Sequence, residues 1–514
     1  METYWESILT KLQVPADGDP ILECDIDGLE NVVQRADELL SLANRKLHVF
    51  PFKDVKPCWF RLYTDASIAK AVRVILACSS STPSSTNADM RCQGRTWLEE
   101  VISILDKALI VAGGMGREGL VHEILTKLEA FVPDEGERPA PPAQKKRKLG
   151  KANAGGQNGS GDILPSEDHS LPQLKFPVTY LEKPTLTVFE KHMKTVKTPV
   201  ILGRVLEHWP ALDAWRHKTY WLDSTLGGRR LVPIEVGRSY TDDHWGQTIV
   251  SFKLFLDTYI LHDPSSRPRE SSHNADDEPE ILDHETGYLA QHDLLKQIPS
   301  LRSDIATPDF CFLDAPPPEP GTPVALNRDK MCSGQKVSHP GMIPQADDQR
   351  DDGRFEDVDV QTNIWFGPPW TISPLHHDPY HNILCQVVGK KYIRLYAPEY
   401  SAQLYPRRKD EPAPHLSHVP GDASESEPQS PSETVTQSDD GADQRTIDMS
   451  NTSSIDIAAM ELSPEEDWDE TYPGFSKLPY VECVLQAGQA LYIPVGWWHY
   501  VRSCSVGISV SFWW

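Results

Sequence analysis

A chain of 514 residues is too long for one compact core, and 39% hydrophobic content with 43 prolines leaves part of it to loops and linkers. The balance of 75 acidic against 50 basic side chains, a formal charge of −25, argues against direct binding of nucleic acid. Nine scattered cysteines without a CxxC spacing speak against a zinc knuckle or a secreted disulfide scaffold.

The N-terminus, METYWESILTKLQVPADGDP, has early acidic residues and no apolar leader core, so no signal peptide is expected. No run reaches the length of a membrane span. Residues 1–133 read as an all-α domain. In WLEEVISILDKALIVA (97–112), Leu98, Val101, Ile102, Leu105, Ala108 and Leu109 recur at three- and four-residue steps. A second face, Leu120, Val121, Ile124, Leu125, Leu128 and Phe131, follows the Gly-rich break at 113–116, and ENVVQRADELLSLANRKL (30–47) is a third helix. A small helical bundle without chemistry of its own is the expectation.

Residues 134–170 read as a disordered linker rich in Pro, Gly, Ala and Gln. It contains KKRKLGK (145–151), a basic cluster of the kind an import receptor reads. The expected location is the nucleus, with the cytoplasm as a second one. A solvating charge run is the plainer reading of the same residues.

Residues 171–514 are β-rich and aromatic. Strand signals appear in VTYLEKPTLTVFEKHM, TPVILGRV, RRLVPIEVG and QTIVSFKLFL, and return in VDVQTNIWFG, NILCQVVGKKYIRLYAP, KLPYVECVLQAGQALYIPVG and HYVRSCSVGISVSFWW. Many short strands of this kind suggest a sandwich or barrel. Three segments, 262–284, 315–355 and 408–470, read as disordered surface insertions, the last rich in Ser, Asp and Glu.

TISPLHHDPYHN (371–382) sets three histidines and an aspartate within six residues, His376 to His381. Alternate side chains on a strand share a face, so His376 and Asp378 project together and His377 projects away. His499, in GQALYIPVGWWHYV (488–501), is the distant third ligand that such a pair requires. Two histidines and a carboxylate on one face of a metal leave three positions open, as in non-haem Fe(II) oxygenases. Zinc is the competing metal, although a structural zinc site requires a fourth ligand and none with suitable spacing stands out. Taken singly, His-x-Asp beside prolines is an ordinary loop, and a histidine among Trp497, Trp498 and Tyr500 an ordinary core residue. An oxygenase of this type needs a co-substrate, usually 2-oxoglutarate, and a cation for its remote carboxylate. Lys391 in CQVVGKKYIRLY (385–396), near the start of a strand, suits that role. On spacing alone Lys390 and Lys391 read equally well as turn lysines.

NIWFGPPWTISPLHHDPYHNILCQVVGKKYIRLYAP (363–398), with GQALYIPVGWWHYVRSCSVGISVSFWW (488–514), resembles the JmjC-domain Fe(II)/2-oxoglutarate oxygenases, in their branch of arginyl hydroxylases and lysine demethylases. The resemblance runs from about 173 to 514 apart from the insertions and takes in GYLAQHDLLKQIPSL (287–301). It implies a mixed α and β protein, with a double-stranded β-helix (jelly roll, cupin-like) catalytic domain after the helical one. It implies Fe(II) on His376, Asp378 and His499, O2 as oxidant, and 2-oxoglutarate on Lys391, Tyr288, Ser373 and Asn382, with Trp365 in the wall. The substrate would be a protein or peptide. Arginine hydroxylation is the first expectation, methyl-lysine demethylation the alternative, and a non-catalytic scaffold a second class that the intact ligand set disfavours. The resemblance also brings EVGRSYTDDHW (235–245) to the substrate mouth, where Glu235 offers acceptors to a guanidinium fork and Trp245 a face to stack on it. Both also read as ordinary strand-end residues.

Overall fold

In the computed structural model the described residues lie mainly in 2–132, 162–261, 286–332, 360–412 and 446–514, with short interruptions in the first two blocks. Five α-helices come first: α1 (Glu2–Leu12), α2 (Ala36–Leu47), α3 (Pro57–Ser80), α4 (Asn87–Ala112) and α5 (Glu118–Leu128). The periodic apolar residues of α4 and α5 become one buried face. Leu98, Val101, Ile102, Leu105, Ala108 and Leu109 share a core with Val121, Ile124, Leu125 and Leu128. Phe131 leaves that face and stands 38% exposed, because the chain tightens into a 3-10 turn at Glu129–Phe131. Gly114, at φ 63°, lets α4 turn into α5, and a Cβ there would meet Leu109 at 2.9 Å.

The strands are β1 (Thr179–Glu182), β2 (Val200–Gly203), β3 (Leu231–Val236), β4 (Gly246–Ser251), β5 (Gly287–His292), β6 (Gln361–Gly367), β7 (Ile372–His377), β8 (Asn382–Val388), β9 (Lys390–Tyr396), β10 (Glu411–Pro412), β11 (Thr446–Ile447), β12 (Val481–Gln486), β13 (Gln489–Ile493), β14 (Trp498–Ser503) and β15 (Gly507–Trp513). They form a large sheet, β1-β2-β13-β8-β15-β6-β5-β3-β4, and a small one, β12-β9-β14-β7, with the β10–β11 pair apart. The two sheets face each other as a double-stranded β-helix. Ile393, Leu395, Leu485 and Val501 of the small sheet pack on Leu384, Leu491 and Ile493 of the large one. Aromatic residues seal the large sheet's other face, where Trp215, Trp221, Phe252, Phe255 and Phe366 are buried together.

The ladder between β7 and β14 is irregular. β14 runs antiparallel to β7 with His499 opposite His376, then slips so that Val501 opposes Ser373. The extra residue makes a bulge at Pro374–Leu375, a position where proline's missing N–H disturbs the ladder little. Cross-strand partners share a face, so Ser373 and His376, three residues apart, both project between the sheets.

Several sequence expectations are corrected. QTIVSFKLFL is not one strand: it ends at Ser251, whose Oγ accepts from Leu254 N at 3.2 Å and starts a helical turn, Phe252–Phe255. Likewise VTYLEKPTLTVFEKHM stops as a strand at Glu182, and Thr185 caps a helix over Leu186–Lys191. Within the expected linker 134–170, Leu164 is buried and its N–H donates to Arg216 O at 2.9 Å. Within the expected insertion 315–355, Pro323–Cys332 is helical. Within 408–470, the chain from 446 returns to the fold: Ile455, Ile457 and Ala458 are buried and Ser453 N donates to Leu375 O at 2.8 Å. Composition averaged over these acidic, Ser-rich windows concealed their few apolar anchors. The basic cluster 145–151 and the segment 262–284 lie outside the described residues. Among the described residues no helix is long and apolar enough to cross a membrane.

Candidate metal centre and active site

His376 on β7, Asp378 just beyond it and His499 on β14 converge, with one potential ligand atom from each lying within 4.8 Å of the others. Asp378 Oδ1 is 3.9 Å from His376 Nε2, and Oδ2 is 3.5 Å from His499 Nε2. The imidazole orientation is set by the backbone. His376 Nδ1 lies 2.7 Å from Pro374 O and His499 Nδ1 lies 3.0 Å from Trp497 O. A carbonyl only accepts, so each Nδ1 carries the proton and each Nε2 turns a lone pair toward Asp378. Burial, then the neighbouring His376 ring, pushes His499 down to about 4, which keeps that lone pair available at neutral pH. Two imidazole nitrogens and a carboxylate, gathered on one side without a fourth protein donor among the described residues, fit a divalent metal with open positions.

His377 points to the other side of β7, as strand alternation requires. It is buried edge-on to Trp498, ring centroids 4.6 Å apart, and neither ring nitrogen finds a hydrogen-bond partner among the described residues. Burial pushes it down to about 4, so it packs as a neutral ring.

Lys391, on β9, is 3% exposed and faces inward. Its Nζ donates to the Tyr288 hydroxyl at 3.0 Å, and no carboxylate pairs with it among the described residues. Burial lowers it to about 7. An ammonium in such a place is unfavourable until an anion joins it, which is the donor chemistry that a dicarboxylate's far end requires. Thr371 Oγ1 donates to Ser503 Oγ at 2.6 Å, and Ser503 is the register partner of Lys391. Asn382 projects inward from β8 opposite Ile493; it is 5% exposed and its Oδ1 has no partner among the described residues. Ser373 reaches the same interior through the bulge. Trp365, on β6, donates from Nε1 to Ser511 Oγ at 2.9 Å and lies 6.0 Å from the Tyr288 ring.

Glu235, near the end of β3, pairs in register with Tyr288 on β5. It is 8% exposed without a cationic partner among the described residues, and burial lifts it to about 7. The Trp245 indole opposes that rise, although its N–H makes no hydrogen bond of good geometry. Sequence reasoning missed Tyr240. Its hydroxyl meets Thr452 Oγ1 at 3.4 Å, and it is near enough to both Asp378 and Glu235 for their charges to raise it further beyond the rise from burial. Nothing in SYT marks that tyrosine, because only the return of 446–457 over β7 gives it a partner. A hollow of about 300 Å³ lined by Arg394, Arg502 and Tyr480 opens on the outer face of the small sheet, opposite the three ligands.

Residues 185–514 match the cupin-like domain family. The chain belongs to that family and, within it, to the JmjC oxygenases. It is 28% identical to lysine-specific demethylase 8 of Danio rerio over 94% of this chain and 87% of that protein. It is 33% identical to lysine-specific demethylase JMJ30 of Arabidopsis thaliana over 62% of this chain, spanning half of that relative. With human bifunctional peptidase and (3S)-lysyl hydroxylase JMJD7 it shares 24% identity over 65% of this chain and 83% of the relative.

Proposed function

We propose that the protein is an Fe(II)- and 2-oxoglutarate-dependent protein hydroxylase that acts on an arginine side chain. The observation that carries the reading is the His376–Asp378–His499 cluster, with both Nε2 lone pairs turned inward. Those three side chains would hold the iron, which when bound with 2-oxoglutarate supplies O2 activation coupled to decarboxylation. Lys391 and Tyr288 would bind the co-substrate's remote carboxylate, with Ser373 and Asn382 as polar neighbours and Trp365 as wall.

The buried Glu235 carboxyl favours a guanidinium over a methylated ammonium. It offers two acceptor oxygens to a planar fork, and its elevated acidity range returns to normal once a cation stands beside it. Tyr240 and Trp245 would line the same approach. Demethylation of methyl-lysine by the same chemistry is the second reading, favoured by the names of the relatives. The basic stretch 145–151 supports import into the nucleus by a receptor.

The test is product mass. Protein with Fe(II), 2-oxoglutarate and O2 is offered arginine peptides and methyl-lysine peptides. Gain of one oxygen on arginine supports the proposal. Loss of a methylene from methyl-lysine selects the second reading, and unchanged peptides with no succinate formed overturn both.

A further inference from the structure

β5 pairs with β3 only at Glu235 and Val236, continued by Gly237 N donating to Thr286 O at 2.9 Å. Residues 231, 233, 235 and 237 present their backbone groups to the same edge. From Leu231 onward that edge therefore has no strand beside it, among the described residues, until β5 arrives. Side chains complete it instead. Leu231 N donates to Asp106 Oδ2 at 2.7 Å, and Leu231 O accepts from Gln297 Nε2 at 2.7 Å.

Asp106 belongs to α4, in the helical region. It is 0% exposed and is held by Arg230 Nη2 at 2.7 Å, Arg230 Nε at 2.8 Å and Gln297 Nε2 at 3.0 Å. Arg230 also donates to Gln297 O at 2.9 Å, and Gln297 Oε1 accepts from His292 Nε2, at the end of β5, at 2.7 Å. One carboxylate from the helices thus ties together the start of β3 and, through Gln297, the end of β5. These are the two strands that set Glu235 opposite Tyr288.

We propose that Asp106 is a positioning residue for the substrate side of the active site: with Gln297 it fixes β3 against β5, so the helical region is a working part of peptide recognition. The kinetic part rests on the hydroxylase reading. The iron ligands and Lys391 lie on or just beyond the small sheet, which this network does not touch, and Tyr288 on β5 is the link to the co-substrate, so the effect falls first on peptide binding.

The experiment uses the full chain with Asp106→Asn and Gln297→Ala; the second keeps the Asp106–Arg230 pair and so folds even where the first does not. Both are expected to raise the peptide KM about tenfold, because Glu235 loses its fixed placement. Peptide-independent succinate formation stays within about twofold, and the KM for 2-oxoglutarate, whose carboxylate Tyr288 on β5 would share with Lys391, rises less than the peptide KM. Glu99→Gln, an exposed carboxylate 3.9 Å from Arg229 between the same regions, changes none of these. A lowered melting temperature with an unchanged peptide KM overturns the proposal. Amide exchange gives a reading independent of catalysis: it should accelerate at 231–236 and 287–292 but not in β7, β9 or β14. Should wild-type protein oxidise no peptide, the hydroxylase reading fails on its own. Unchanged protection of β3 and β5 in both variants then overturns the positioning role.

Discussion

His499 stands directly across from His376 in the β14–β7 register, their rings 4.2 Å apart between centroids. Neither imidazole hydrogen-bonds to the other, since each spends its proton on a backbone carbonyl. Such a pair is held ready for a third party. Adding Mn(II) or anaerobic Fe(II) should therefore raise the melting temperature of the wild-type protein, because the metal binds only the folded state. His376→Ala, Asp378→Ala and His499→Ala should each lose that shift and all turnover. A variant that keeps both contradicts the ligand assignment.

Lys391→Met should leave the metal-induced melting shift intact while raising the KM for 2-oxoglutarate roughly 100-fold, as removal of a buried charge-assisted bond costs about 2–3 kcal/mol. A KM within threefold of wild type argues against the assignment.

Two groups near the site titrate in opposite senses. Glu235, lifted to about 7, must be ionised to meet a guanidinium, so the peptide KM should fall as pH rises from 6 to 8. Lys391, lowered to about 7, must be protonated to hold a dicarboxylate, so the KM for 2-oxoglutarate should rise over the same range. Steady-state titration of each substrate separately resolves the two trends, and Glu235→Gln should flatten only the first.

Phe366 packs at 5.3 Å between ring centroids against both Trp221 and Phe255, on the sealed face of the large sheet. Phe366→Ala should cost about 3–5 kcal/mol by opening a cavity there. Chemical denaturation measures it. A loss under 1 kcal/mol would mean that the cluster collapses onto the space.

The convergence of His376, Asp378 and His499 was legible in the sequence because two simple rules sufficed: period-two alternation for the first two, and a distant histidine on a strand for the third. Lys391 was half legible, since burial distinguishes it from Lys390, and burial is a property of the closed sheets. Ser373 was invisible to spacing. Alternation puts it on the face opposite His376, and only the bulge reverses that. Tyr240 depends on a contact more than 200 residues away in the chain, with Thr452. The helical periodicity of α4 announced its buried face, while Asp106 on that helix looked like any other acidic residue until Arg230 and Leu231 closed around it.

The bulge at Pro374–Leu375 makes the length of this stretch as consequential as its chemistry. An evolving gene can exchange residues 374 and 375 for others and keep the interior arrangement. Trimming one of them would drag Ser373 a step along the strand relative to the histidine behind it, and adding one would push it a step the other way. Substitution is thus the milder change in this neighbourhood, and insertion or deletion the harsher one.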